Sequence, residues 1–128
     1  QLLARVAGGA LHAHLPVDLP SAVAHGGGGA GTFEHDVELA AGTRLGGIAA
    51  ARHVRVNSRH HQGVADPGAL TVAARAPDGL IEAVEHPRYV FAIGVQWHPE
   101  TLAGDAGEGL LRSFVAAAQA ARTARTAR

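Results

Sequence analysis

The sequence predicts an α/β domain in which strands from the middle of the chain form one sheet and a helix returns over it at the end. Three observations carry that expectation. Phe91, Ala92, Ile93 and Val95 form a short apolar run that stops at His98-Pro99-Glu100, the pattern of a strand covered on both faces. Residues 70–75, 80–85 and 89–96 are three successive strand candidates, divided by Ala76-Pro77-Asp78-Gly79 and by His86-Pro87. Both dividers are turn signals, so the three strands read as an antiparallel meander joined to a larger sheet. Beyond them, Leu110, Leu111, Phe114, Val115 and Ala118 share one face of a helix over 108–121, with Arg112, Ser113 and Gln119 opposite. That helix is expected to pack on the sheet.

The remaining elements follow in order. Leu2, Leu3 and Val6 make one helical stripe within residues 1–7, and Gly8-Gly9 supplies a stop. Residues 17–33, with Pro20, Ser21 and the run from Gly26 to Gly29, read as a flexible loop. The glycines are no phosphate cradle, because no Gly-Lys-Ser/Thr follows and no apolar strand precedes them. Residues 33–39 alternate as a strand does, and residues 53–56 form another that feeds a loop over 57–62. Residues 42–51 fit a short helix or a turn equally well. The Ala-Arg-Thr repeat over 122–128 has no large apolar group and reads as a frayed, solvated tail, leaving one domain over 1–121.

Composition excludes several classes of function. A chain of 128 residues, 47% hydrophobic, is enough for one globular core. Its formal net charge of zero points to neither nucleic acid nor an anionic membrane surface. No apolar run approaches the ~20 residues of a membrane-crossing helix, so a cytoplasmic protein is expected. With no Cys there is no disulfide, thiolate metal site or thiol nucleophile within these residues. Met is also absent, and the chain opens at Gln1 inside an apolar pattern, as a fragment would. A fragment lacking the first strands of its sheet would leave apolar surface uncovered and be poorly soluble.

The chemistry concentrates at His98 and Glu100. Pro99 cannot donate a ladder hydrogen bond, and it pushes His98 toward extended geometry. Residues two apart in an extended segment project to the same side, so His98 and Glu100 face one site. A carboxylate bonded to one imidazole nitrogen fixes the tautomer and leaves the other nitrogen for proton transfer. The plainer alternative is a strand end whose polar groups cap exposed backbone. Nine His residues raise the question of a metal, with His12-x-His14 and His60-His61 as the close pairs. No helical His-Glu-x-x-His accompanies them, so neither a metal nor another cofactor is expected. Ser21, Ser58 and Ser113 are the only serines, and none lies in Gly-x-Ser-x-Gly.

Three separated motifs, 56–62 (Val-Asn-Ser-Arg-His-His-Gln), 78–83 (Asp-Gly-Leu-Ile-Glu-Ala) and 94–100 (Gly-Val-Gln-Trp-His-Pro-Glu), together resemble class I glutamine amidotransferases. Among those the chain is most similar to gamma-glutamyl-gamma-aminobutyrate hydrolases. The resemblance implies the C-terminal part of a flavodoxin-like three-layer fold with a mixed sheet. It also implies a Cys-His-Glu triad acting on a small gamma-glutamyl substrate, with His98 and Glu100 as its last two members. Gln1 would match the glutamine of a Cys-x-Gly-x-Gln motif, placing the nucleophile upstream of this chain. Gln1, Asn57, Ser58 and His60 would then lie beside the substrate. The alternatives are the glutaminase subunit of an amidotransferase and a non-catalytic binding relative; a homo-oligomer is compatible with each.

Overall fold

The computed structural model describes residues 1–26, 31 and 33–126, so most of the glycine run lies outside the described residues. The elements in chain order are helix α1 (Leu2–Val6), strand β1 (Ala10–His12), the single turn α2 (Leu15–Asp18) and β2 (Phe33–Leu39). Next come α3 (Arg44–Ala49), β3 (His53–Ser58), β4 (Gly63–Asp66), β5 (Thr71–Arg75), β6 (Ile81–Glu85), β7 (Ile93–Val95) and the long helix α4 (Leu110–Thr126). The strands form one sheet in the order β1-β4-β6-β5-β2-β3, with β7 also on β6. The anticipated meander is β5, β6 and β7. Every pairing among the described strands is antiparallel, so these residues supply only the antiparallel component of the expected mixed sheet.

β6 is the centre of this arrangement. β5 flanks it on one side, while β4 at Val64↔Ile81 and β7 at Ala83↔Val95 share the other. All five of its residues are buried, including two carboxylates, Glu82 and Glu85. A buried charge is costly unless paired and hydrogen-bonded, and each carboxylate therefore organises its neighbours. Glu85 accepts from the backbone N–H groups of Arg44 (3.0 Å) and Leu45 (3.3 Å), at the positive end of α3. Thr43 completes that end by accepting from Gly46 N at 3.1 Å. Within residues 42–51 the chain thus forms a capped helix, Arg44–Ala49, the choice that periodicity left open.

The main core gathers Val37, Leu39, Leu45, Val56, Ala83, Trp97 and Leu110 between the sheet, α3 and the start of α4. A smaller cluster packs α1 through Ala4 against Val64, Ile81 and Val84. Here several expectations are corrected. On α1 the inward residue is Ala4, and Leu2 and Val6 are exposed, because the helix presents a neighbouring face to the sheet. On α4 only Leu110 is buried: Leu111, Phe114 and Val115 are exposed, because the helix leaves the sheet after its first turn. The helix also continues to Thr126, five residues beyond the expected end, through Ala and Arg, which are strong helix formers. β7 differs likewise, being three half-buried residues paired only with β6 instead of a strand covered on both faces. β1 and β4, which sequence patterning assigned to no element, pair with each other.

Candidate functional site

β7 delivers the His-Pro-Glu segment, but the pair forms by a tighter geometry than an extended strand end. Pairing stops at Val95, and Trp97 anchors the departing chain, fully buried with its indole N–H donating to the carbonyl of Ala106 at 3.0 Å. Pro99 then opens a 3-10 turn, Pro99–Thr101, whose N-cap is His98. Proline suits that first helical position because its missing N–H is not needed there. The turn brings His98 Nδ1 to 2.8 Å from Glu100 Oε1. The Glu100 carboxyl is held below its ordinary value of 4.5, first by its own backbone N–H and then by His98. It therefore stays ionised and orients the ring, leaving Nε2 to exchange protons.

Asn57, at the end of β3, fixes this segment from the other side. Its Oδ1 accepts from His98 N at 2.8 Å, and its Nδ2 donates to His98 O and to Thr101 Oγ1, each at 3.0 Å. The backbone on both sides of the His98 ring is thereby tied to the sheet. Gln1 lies against β6 and β7 beside Val95 and Gln96, and its Nε2 donates to Gln62 O at 3.2 Å. Ser58 is fully buried and donates to His25 O at 2.8 Å. His60 is turned inward, with Nδ1 on Gln62 O at 2.9 Å. The side chains of Asn57 and Ser58, and Nδ1 of His60, are thus committed to protein partners.

His98 and Glu100 stand at the surface, with side chains 37% and 59% exposed. Open clefts occur elsewhere: about 550 Å³ bounded by Glu38, Arg52 and Arg75, and about 680 Å³ bounded by Tyr89, Phe91 and Phe114. Neither includes the His-Glu pair.

A second constellation lies in the interior. His25, His35, His60 and Glu82 bring four potential ligand atoms within 4.8 Å of one another. Glu82 Oε1 is 3.3 Å from His25 Nδ1, 3.7 Å from His35 Nε2 and 3.6 Å from His60 Nε2. Burial pushes His60 below its ordinary value and toward the neutral form. Burial opposes the charge of His25 as well, but the neighbouring carboxylates of Glu82 and Asp78 outweigh it and hold that ring above its ordinary value. Asp78 sits below its own despite burial, chiefly through His25 and Ser21. Sequence patterning singled out His60 alone of these four. The overlooked signal is alternation: His35 shares the inward face of β2 with Val37 and Leu39, and Glu82 interrupts an apolar strand.

A family model described as Peptidase C26 matches residues 1–100. A Mycobacterium tuberculosis protein described as a glutamine amidotransferase is 38% identical over 122 residues, 94% of this chain and 37% of the relative. The gamma-glutamyl-gamma-aminobutyrate hydrolase of Escherichia coli is 46% identical over 69 residues, 52% of this chain and 27% of that enzyme. The chain thus spans roughly a quarter to two-fifths of the length of these two relatives. Among solved structures, a Thermoplasma acidophilum protein described as part of a GMP synthase superposes with a TM-score of 0.72 at 17% identity, covering 98% of this chain and 56% of its own. The glutaminase domain of Trypanosoma brucei CTPS gives 0.59 at 24% identity, with 69% and 39% covered. These two likenesses establish the fold, that of glutamine amidotransferase domains.

Proposed function

The chain belongs to the peptidase C26 family, and on that premise we propose that it supplies the acid/base half of a hydrolase that cleaves the carbon–nitrogen bond of gamma-glutamyl amides. The observation that carries this reading is the 2.8 Å contact between His98 Nδ1 and Glu100 Oε1, with the His98 backbone pinned by Asn57. Gamma-glutamyl-gamma-aminobutyrate is the proposed substrate, on the likeness to the E. coli hydrolase.

The reaction is acyl transfer to water. A Cys thiolate, supplied upstream of Gln1, adds to the gamma-carbonyl carbon, and backbone N–H groups beside it hold the oxyanion. His98 Nε2 gives its proton to the amine nitrogen as the C–N bond breaks, releasing gamma-aminobutyrate and leaving a thioester. His98 Nε2 then takes a proton from water as its oxygen adds to the thioester carbon. Expulsion of the thiolate frees glutamate. Glu100 acts on this sequence by holding the imidazole. Gln1, which lies beside Gln96, is the residue proposed to hold the glutamyl portion, as the resemblance implies. Asn57 and Ser58 serve by positioning His98 and the neighbouring loop.

The test uses the full protein that carries this chain, assayed on gamma-glutamyl-gamma-aminobutyrate and on glutamine side by side, with His98→Ala as control. Preferential release of gamma-aminobutyrate, reduced about 10²- to 10⁴-fold in the variant, is expected. Turnover of glutamine alone would instead favour the glutaminase subunit of an amidotransferase, and turnover of neither a non-catalytic binding relative.

A further inference from the structure

We propose that His25, His35, His60 and Glu82 form a closed, four-coordinate binding site for a divalent zinc-class cation, which staples two loops to the central sheet. The proposal is independent of the hydrolase reading.

The four side chains come from separate parts of the chain: His25 from the loop before β2, His35 from β2, His60 from the loop after β3 and Glu82 from β6. All are at least nine-tenths buried, Glu82 being 1% exposed. The atoms that face one another, His25 Nδ1, His35 Nε2, His60 Nε2 and both Glu82 oxygens, have no hydrogen-bond partner. Leaving a buried polar group unsatisfied is costly, and more so for a charge, so five such atoms in one place call for a common partner.

The outward nitrogens show which partner. His60 Nδ1 meets the carbonyl of Gln62 at 2.9 Å, and His35 Nδ1 meets the carbonyl of Asp36 at 3.2 Å. A carbonyl only accepts, so both nitrogens carry the proton, and in a neutral ring the inward Nε2 is then a bare lone pair. His25 Nε2 is held at 2.8 Å by the Asp78 carboxylate in the same manner. This is the outer-shell pattern of metal-bound imidazole, whose second nitrogen donates to a carboxylate or carbonyl. Lone pairs aimed at a carboxylate repel it unless a cation stands between them. A proton on His25 Nδ1 relieves one of the three contacts and leaves His35 and His60 unrelieved.

The spacing fits as well. Zinc bonds of 2.0–2.1 Å to nitrogen and oxygen in tetrahedral geometry separate the donors by about 3.4 Å. The three nitrogens lie 3.3, 3.7 and 3.6 Å from Glu82 Oε1, near that separation, and with all four donors within 4.8 Å of one another the nitrogens draw together on a bound ion to complete the tetrahedron. Three imidazoles and one carboxylate suit zinc over magnesium or calcium, which prefer all-oxygen shells. With four protein ligands no position is left open, so the role is structural. Gly26 shows how closely the stapled loops approach: its φ is +111°, and a Cβ there would lie 3.0 Å from His60 N.

The test is metal content and spectroscopy on the full, untagged protein. About one zinc per chain is expected on purification, and the chelator-stripped protein should take up one Co²⁺ with the intense visible bands of a tetrahedral site, lost on adding Zn²⁺. Glu82→Gln and His35→Ala should abolish that spectrum, while His53→Ala, on the exposed side of β3, should keep it. Asp78→Asn should weaken affinity about 10- to 100-fold with the spectrum retained, because Asp78 acts only through His25. Should Glu82→Gln fail to fold, the wild-type Co²⁺ titration alone decides. A stripped, folded wild-type protein without a tetrahedral Co²⁺ spectrum, or a spectrum that survives both ligand substitutions, would overturn the proposal.

Discussion

At the scale of single residues, Asn57 is the clearest case of a side chain that acts through another. It closes three hydrogen bonds around the His98 backbone and Thr101 while leaving the ring free. Asn57→Ala should therefore destabilise the protein by about 1–3 kcal/mol, since it strands buried donors and acceptors. In steady-state kinetics of the full protein it should lower kcat with little change in KM, which a purely structural lesion would not do selectively. The pH dependence has a definite sign. The carboxyl of Glu100 is depressed below 4.5, so its hold on His98 persists at neutral pH and is lost as pH falls through that depressed value. The acid-side decline of activity assigned to this group should lie below pH 4.5, measured as kcat/KM against pH, and should vanish in Glu100→Gln. The pair was legible in the sequence because it is local, two residues separated by a proline whose backbone limits are known. Glu82 and the three histidines were not, since 22 to 57 residues of chain separate Glu82 from them and no short spacing records that they meet.

At the scale of elements, the fold turns on how β6 spends its two carboxylates. Glu85 caps α3, and Glu85→Ala would leave the N–H groups of Arg44 and Leu45 without their acceptor. A loss of about 1–3 kcal/mol is expected by denaturant titration, with the slope unchanged. Trp97 performs a related task at the other end of the sheet, filling the main core while its indole N–H is satisfied by Ala106. Strand positions β2, β3, β5 and β6 were read nearly to the residue, because alternation and turn chemistry specify them directly. β1 and β4 escaped because each is short, and their pairing depends on a partner some fifty residues away. Helix α4 was recognised by its stripe, but periodicity gives only the apolar face. It does not say how far along that face a neighbour follows, and here burial ends with Leu110, while Phe114 one turn on meets Phe91 and stays exposed.

At the scale of the whole molecule, large apolar side chains stand in water in two groups of described residues, besides single ones such as Val17. Leu2 and Val6 on α1 are 78% and 79% exposed. Tyr89 and Val90, together with Phe114 and Val115 on α4, form a second exposed group. Patches of this kind mark surfaces that associate. Residues 1–128 expressed alone should therefore self-associate at micromolar concentration, read by light scattering, and Val6→Glu with Val90→Glu should reduce it. A monodisperse monomer with a cooperative melt would contradict that expectation. Among the described residues no helix is long and apolar enough to cross a membrane. The family is the broadest statement the sequence carried correctly, because three ordered motifs fix the central strands, the following turn and the His-Pro-Glu segment at once.

The central claim is that His98 and Glu100 work as one catalytic unit on a gamma-glutamyl amide. The most direct measurement is a double-mutant cycle in the full protein, comparing kcat/KM for His98→Ala, Glu100→Gln and both together on gamma-glutamyl-gamma-aminobutyrate. If Glu100 acts only by holding His98, the double variant should be no slower than His98→Ala alone, whatever Glu100→Gln costs by itself. Losses that simply add on the logarithmic scale would mean that the two residues act separately and would contradict the account.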